Sequence, residues 1–266
     1  MTNPSFRYAV PPVDEPPLSE CWFYQTIEIP GIGVQTGQWD LRPNIANYLG
    51  DIDLAGARVL EIGTANGFVC FEMERRGAEV VAFDLAEDIT YDAPPLSKEY
   101  IMRDHYLDGL RRIRNGYWLA HKRFGSKARV AYGHANRLPN ELGQFDVGVI
   151  ANVLQHLQDP VGAIMQIASR SRTVVITETD WFHGHYDDLN GMIYFDKDNP
   201  FVWYQVKPPL VEAVLRRMGF SRFERTDHMQ LFVEDPEHQP GKGTISVKMG
   251  VNVPHFTIVA YRDPSR

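Results

Sequence analysis

The sequence predicts an α/β protein: a doubly wound, Rossmann-like, mostly parallel sheet of seven strands with an antiparallel edge strand. Three observations carry that expectation. From Ala57 onward, apolar runs of strand length alternate with segments of helical spacing, the layering that covers both faces of a parallel sheet. Gly63 and Gly67 stand between a strand-like and a helix-like segment, as a tight strand-to-helix turn requires. The last two apolar stretches, FERTDHMQLFVE (223–234) and HFTIVAYRD (255–263), alternate with no helix between them, so they are expected to pair antiparallel at one sheet edge.

Taken in order, residues 1–20 hold five prolines and little periodicity, which predicts an extended arm. Residues 22–40 mix aromatic, β-branched and glycine residues and read as a short hairpin followed by a turn. Pro43 suits a first helical position, with Ile45, Tyr48 and Leu49 on one face. Residues 1–50 thus form an N-terminal arm and lid-like extension, either a packing element or a cover over a pocket, and residues 51–266 the main domain. Within it, 57–63 is a buried strand, 67–77 a helix ending at Gly77, and 78–85 a second strand. The connection Ala86–Lys127 exceeds one crossover helix, and Leu107–Phe124 within it is helical in spacing. Strands follow at 128–133, 144–153 and 173–180, with helices at 160–170 and 209–220. No internal repeat is visible.

Composition narrows the function classes. Hydrophobic residues make up 44% of 266, which excludes a disordered chain. With 34 acidic against 27 basic residues and a net charge of −7, a large nucleic-acid footprint is disfavoured. Two cysteines, Cys21 and Cys70, are too few for a disulfide framework. No apolar run nears the roughly 20 residues that span a bilayer, and the acidic, proline-rich start is unlike a signal peptide. The expectation is a soluble cytoplasmic protein with no membrane partner; oligomeric state is not readable.

The most informative stretch is VLEIGTANGFVCFEMERRGAEVVAFDL (59–85). The strand-turn-helix carries Gly63 and Gly67, and about twenty residues after Gly63 the next strand ends in Asp84, an acid placed to accept hydrogen bonds from ribose hydroxyls. A dinucleotide turn wants Gly-x-Gly-x-x-Gly, and Thr-Ala-Asn-Gly-Phe-Val after Gly63 fails that pattern. Glu61 in the strand end would repel a pyrophosphate, whereas it suits a cofactor bearing an amino group and a sulfonium. An NAD(P)-binding protein is therefore the weaker alternative.

Glu61-x-Gly63-x-x-x-Gly67 with Asp84 resembles the first motifs of class I S-adenosylmethionine (SAM)-dependent methyltransferases. GHANRLP (133–139) and FDVGVIANVLQHLQDP (145–160) resemble the family's later segments in the expected order. RNGYWLAHKRFGSKARVAYG (114–133), LGQFDVGVIANVLQHLQDP (142–160) and GQWD (37–40) resemble more narrowly a subgroup related to the bacterial tRNA wobble-uridine carboxymethyltransferase. That relative uses a carboxylated SAM, with Lys and Tyr where this chain has Gln38 and Gln155. Without the cation a second carboxylate loses a charge-assisted bond worth about 1.5–3 kcal/mol, so ordinary SAM is the expected cofactor. The resemblance implies a cofactor set of Trp39, Glu61, Gly63, Thr64, Asn66, Gly67, Asp84, Leu85, Ala135, Asn136 and Asn152. In that set Glu61 holds the methionine amino group and Asp84 the ribose diol. Leu85 packs on adenine, Ala135 offers its N–H to the ring, Asn136 stands in for the acid that many relatives have at His134, and Asn152 lies near the methionine moiety.

The expected reaction is methyl transfer to a hydroxyl, less readily an amine, of a small-molecule or sugar-containing acceptor. A hydroxyl nucleophile benefits from a base, and His156 is the first candidate; the rival explanation is a structural histidine. ITETDWFHGHYDD (176–188) supplies Glu178, Asp180, His183 and His185, of which Asp180 and His183 are candidate catalytic residues. His-x-His beside acids is also a loose metal pattern, but no metal ligand is assigned. Trp118, Trp203 and Tyr204 are candidate acceptor-stacking residues, with core packing the alternative, while Arg111, Arg112 and Arg114 read as a solvated helix face. The alternatives to a small-molecule enzyme are tRNA-uridine modification and a SAM-binding protein without catalysis.

Overall fold

A computed structural model of the chain describes residues 6–86, 104–180, 202–233 and 250–263. An eight-stranded sheet carries the fold, one strand more than expected. Its strands are β3 (Trp39–Asp40), β4 (Arg58–Ile62), β5 (Glu79–Leu85), β6 (Arg129–Gly133), β7 (Phe145–Ala151), β8 (Ser171–Thr179), β9 (Phe220–Phe232) and β10 (Val251–Arg262). A separate antiparallel hairpin, β1 (Ile27–Ile29) with β2 (Gly33–Gln35), precedes them. The spatial order is β3-β9-β10-β8-β7-β4-β5-β6. Strands β6, β5, β4, β7 and β8 run parallel. β10 is antiparallel to β8 and to β9, and the extra strand β3 adds antiparallel to β9 through Trp39↔Phe232 and Asp40↔Leu231. The additional strand thus comes from the N-terminal segment.

Side-chain alternation along the strands builds two cores. Val59, Val80, Ala82, Val130, Val147, Val149, Val175 and Val259 point to one face, under α2 (Phe68–Arg75) and α3 (Asp104–Phe124). Cys21, Phe23, Ile27, Ile29, Leu41, Tyr48 and Leu49 join that same cluster, the last two from the short helix α1 (Ile45–Tyr48) and its end. Leu60, Ile62, Val81, Phe83, Ile150, Ile176 and Ile258 point the other way, against α4 (Pro160–Ala168) and α5 (Pro208–Arg217). Helix α4 starts as its sequence dictates: Pro160 occupies the first turn and the Asp159 carboxylate accepts from the Gly162 N–H at 2.7 Å.

The alternation also decides where the chemistry goes. Glu61 on β4 and Asp84 on β5 share the face of the first core, so they lie on the side to which the N-terminal segment packs. The carboxyl ends of β4, β5 and β7 open on that side into a cavity, where ligands of open parallel sheets bind.

Candidate functional site

The cavity has a volume of about 470 Å³ and is walled by the turn after β4, the ends of β5 and β6, the loop after β7, the middle of α3 and the N-terminal segment. The turn after β4 is shaped by two glycines. Gly63 has φ +85°, and a Cβ there would collide with the Val153 side chain. Gly67 has φ +87°, and a Cβ would lie 2.6 Å from the Tyr117 ring. Ala65 also adopts a left-handed backbone, φ +48°, the kind of local strain that persists where the surroundings over-determine it. Its N–H donates to Asp84 Oδ2 at 2.8 Å, while Asp84 Oδ1 accepts from the Leu85 N–H at 2.7 Å. Burial pushes the Asp84 carboxyl up, opposed by those two N–H groups and by Arg114.

Glu61, on β4 two residues before Gly63, is buried and is not among the residues lining the cavity. Its Oε2 has no hydrogen-bond partner. Burial pushes its carboxyl up to about 8, with Thr64 working against and Asp84 adding to the rise, so in the ligand-free protein Glu61 is largely protonated at neutral pH. Glu178, at the end of β8, behaves alike: burial pushes it up to about 8 although its Oε1 accepts from the N–H groups of Val153 and Leu154 at 3.0 and 2.8 Å. That carboxyl holds the loop carrying Asn152 and the 3-10 turn Leu154–His156.

Of the expected cofactor residues, Trp39, Gly63, Thr64, Asp84, Leu85, Ala135 and Asn152 line the cavity. Asn66 and Asn136 do not. Asn66 is fully buried and grips the main chain of Gln25 from both sides, its Oδ1 accepting from the Gln25 N–H at 2.7 Å and its Nδ2 donating to the Gln25 carbonyl at 3.1 Å. The Asn136 amide donates to the Asp159 carbonyl at 2.6 Å, tying the loop after β6 to the start of α4. Gly67 sits behind the turn, where it admits the rings of Phe71 and Tyr117.

On the acceptor side, His156 lines the cavity. Asp180 is buried, and its N–H donates to the Pro254 carbonyl at 2.7 Å, outside the cavity wall. His183, with the rest of 181–201, lies outside the described residues. Trp118 does not line the cavity: it is 8% exposed, packs edge-on against Tyr117 and His121, and joins the first core. Its neighbour Arg114, read from sequence as solvated, instead lines the cavity, stacks 4.3 Å over the Tyr132 ring and donates to the Leu85 carbonyl at 2.8 Å. The Trp203 backbone N–H donates to the Gln155 carbonyl at 2.8 Å, its ring stands 6.2 Å from that of Tyr204, and neither residue lines the cavity.

Among the lining residues that sequence reasoning did not single out, Trp22, Tyr24, Gln25, Leu41 and Tyr48 come from the N-terminal segment. The Trp22 N–H donates to the Arg112 carbonyl on α3 at 2.9 Å, and the Trp39 indole N–H donates to Tyr24 Oη at 3.1 Å. The aromatic richness of 22–24 was the available clue, but nothing local says which ring turns inward.

Comparison with known proteins identifies the family. A family model described as a methyltransferase domain matches residues 38–235. The ubiquinone biosynthesis O-methyltransferase of Marinobacter nauticus is 28% identical over 131 residues, 49% of this chain and 46% of that protein. The enzyme of the same name from Xanthomonas oryzae is 31% identical over 120 residues, 44% of this chain and 39% of that protein. The matched segment thus spans less than half the length of these curated relatives. Among solved structures, the N-terminal domain of EvdMO1 with S-adenosylhomocysteine (SAH) bound aligns with TM-score 0.54 at 16% identity over 91% of this chain and 92% of that one. Magnesium protoporphyrin IX methyltransferase of Synechocystis with SAH aligns with TM-score 0.50 at 15% identity, covering 84% and 82%. At these identities the likeness is one of fold.

Proposed function

We propose, on the premise that the chain belongs to the methyltransferase-domain family and is a SAM-dependent methyltransferase, that it methylates a hydroxyl group of a small acceptor molecule. The observation that carries this reading is the continuity of one cavity from the Gly63–Asp84 end to a wall of Trp22, Tyr24, Trp39 and His156. Its volume of about 470 Å³ falls in the range of small-molecule sites.

The residues present fit the cofactor. Each Asp84 oxygen already accepts one backbone N–H and retains a lone pair for a ribose hydroxyl. Glu61 Oε2, buried without a partner, is a waiting acceptor for an ammonium, and Gly63 keeps the turn free of a Cβ. Leu85, Ala135 and Arg114 with Tyr132 surround the part of the cavity that suits adenine. When bound, SAM supplies a methyl carbon activated by its sulfonium. The protein then has to align the nucleophile, a contribution of about 7–11 kcal/mol when well made. His156 takes the acceptor's hydroxyl proton on a ring nitrogen, and the aromatic wall of Trp22, Tyr24 and Trp39 holds a flat or sugar-like face and keeps water out.

Modification of a tRNA uridine with a carboxylated cofactor is the second reading. Against it stand the net charge of −7 and Gln38, which lines the cavity but offers no cation to a second carboxylate. A radiolabelled-SAM assay against phenols, catechols, sugar-containing acceptors and unmodified tRNA separates the two. Turnover with a hydroxyl-bearing small molecule and none with tRNA is expected; methylation of tRNA alone would reverse the assignment.

A further inference from the structure

Two fully or largely buried histidines, His228 on β9 and His255 on β10, stand beside the cavity without lining it. Their rings stack at 17° with centroids 5.7 Å apart, and Trp39 meets His255 edge-on at 5.3 Å. Burial pushes both imidazoles down to about 4, so both are neutral at physiological pH and each has one N–H and one acceptor nitrogen.

Which nitrogen carries the proton on His255 follows from its partners. Nδ1 lies 2.9 Å from the Val253 carbonyl, which only accepts, so Nδ1 bears the hydrogen. Nε2 is then an acceptor, and it lies 3.0 Å from the side-chain nitrogen of Asn152. The second hydrogen of that nitrogen reaches Tyr48 Oη at 3.2 Å. Both donors of the Asn152 amide are thereby spent on the protein, while its Oδ1 is buried with no partner. The flip state of this amide is thus dictated from behind by a carbonyl, through an imidazole. Asn152 itself holds φ +54°, a left-handed conformation that Asn tolerates, and it lines the cavity.

Tyr48, the other anchor, is held by a parallel chain. The Gln230 amide donates to His228 Nδ1 at 3.0 Å and His228 Nε2 donates to Thr257 Oγ1 at 2.9 Å. Thr257 and Thr177 share a 2.8 Å hydroxyl bond, and Thr177 Oγ1 donates to the Tyr48 carbonyl at 2.8 Å. Two hydrogen-bonded chains from the antiparallel side of the sheet therefore converge on the amide.

We propose that His255 is a positioning residue for cofactor binding: it locks the Asn152 amide with Oδ1 as the acceptor left for an N–H of the cofactor's ammonium group. The proposal rests on the cavity being the SAM site. Asn152 then shares with Glu61 the selection of a cationic, donor-rich group, so the ammonium is bound by one ionisable and one neutral acceptor. A flipped amide would present its NH₂ to the cation and lose that contact.

The test is calorimetric and needs no methyl acceptor. SAH and its analogue lacking the α-amino group are titrated into the wild-type protein, His255→Leu, His255→Gln and Asn152→Gly, the last keeping a residue at ease with the left-handed backbone. Wild type is expected to prefer SAH. His255→Leu should lose about tenfold or more in SAH affinity, the scale of a hydrogen bond to a charged group, with the analogue's affinity unchanged; Asn152→Gly should do the same. His255→Gln, whose amide oxygen can accept from Asn152, should recover most of the preference. Equal losses for both ligands, or an unaltered preference in His255→Leu and Asn152→Gly, would overturn the positioning role. Failure of the wild type to bind SAH at all would instead overturn the reading of the cavity, and the role with it. Should His255→Leu not fold, His255→Gln and Asn152→Gly still decide, and the long-range ¹H–¹⁵N spectrum of ligand-free wild type must show the proton of His255 on Nδ1.

Discussion

Asp84 is the residue on which the cofactor reading is most exposed. Its carboxylate binds the turn after β4 through the Ala65 N–H and keeps lone pairs for two hydroxyl donors. Asp84→Ala should weaken SAH binding about 10- to 150-fold, the range for hydrogen bonds to a charged acceptor; unchanged calorimetric affinity would contradict the assignment. Glu61 makes a sharper demand because of its environment. Its carboxyl is pushed up to about 8 by burial, so at pH 7 the ligand-free protein carries that proton, and an ammonium beside it draws the carboxyl back toward ionisation. SAH binding should therefore release a proton near pH 7 and tighten as pH rises from about 6 to 8. The same raised group gives the folded state more bound protons than the unfolded state between the ordinary carboxyl range and pH 8. By linkage, its contribution to stability is complete at low pH and lost as pH rises through about 8. Calorimetry in buffers of different ionisation enthalpy measures the proton, and Glu61→Gln should abolish it. His156→Ala should depress turnover by about 10²–10⁴-fold while leaving SAH affinity within a factor of a few; equal loss of both would make His156 structural.

Among the elements, the turn after β4 and the ends of β5 and β7 were legible in the sequence because their requirements are local. A glycine at a forced left-handed position, and an acid at a strand end about twenty residues later, announce themselves without knowledge of neighbours. Partners distant along the chain do not. Asn66 stands inside the turn and reads as a ligand contact, yet its whole amide is spent on Gln25, forty-one residues earlier. On α3, Arg114 and Trp118 lie one turn apart, and helical spacing alone cannot tell which faces the cavity. The ring of Tyr132 and the Leu85 carbonyl draw Arg114 inward, while Trp118 finds Tyr117 and His121 in the core. The Asn66–Gln25 grip also makes a prediction about the element it holds. Asn66→Ala leaves a buried N–H and a buried carbonyl of Gln25 without partners, a cost of about 1–3 kcal/mol for each. Hydrogen exchange should therefore accelerate over residues 22–26 well before α2 or β5. Uniform acceleration across the sheet, or none, would show that the grip is not what keeps this segment over the cavity.

For the whole molecule, the question is whether residues 1–50 are an appendage. The doubly wound core was readable from alternation alone, and so was the antiparallel pair β9–β10, whereas the sequence left open whether the N-terminal extension is a packing element or a cover. It adds β3 to the sheet, contributes Phe23, Ile27, Ile29, Leu41, Tyr48 and Leu49 to the first core, and supplies Trp22, Tyr24, Gln25 and Trp39 to the cavity. The sequence conceals this because β3 is only two residues long, and its partner β9 lies nearly two hundred positions away. Removal of the segment would uncover apolar surface of α3 and of the β9–β10 pair together. Fully burying each large apolar side chain is worth about 1.5–3 kcal/mol, so six such residues together are comparable with the roughly 5–15 kcal/mol by which a native domain is typically stable. A truncated chain of residues 51–266 should thus lack a cooperative thermal transition, bind a hydrophobic dye and show no SAH affinity. If it melted cooperatively and bound SAH as the full chain does, the N-terminal segment would be a detachable cover, and the cavity would owe neither its floor nor its stability to it.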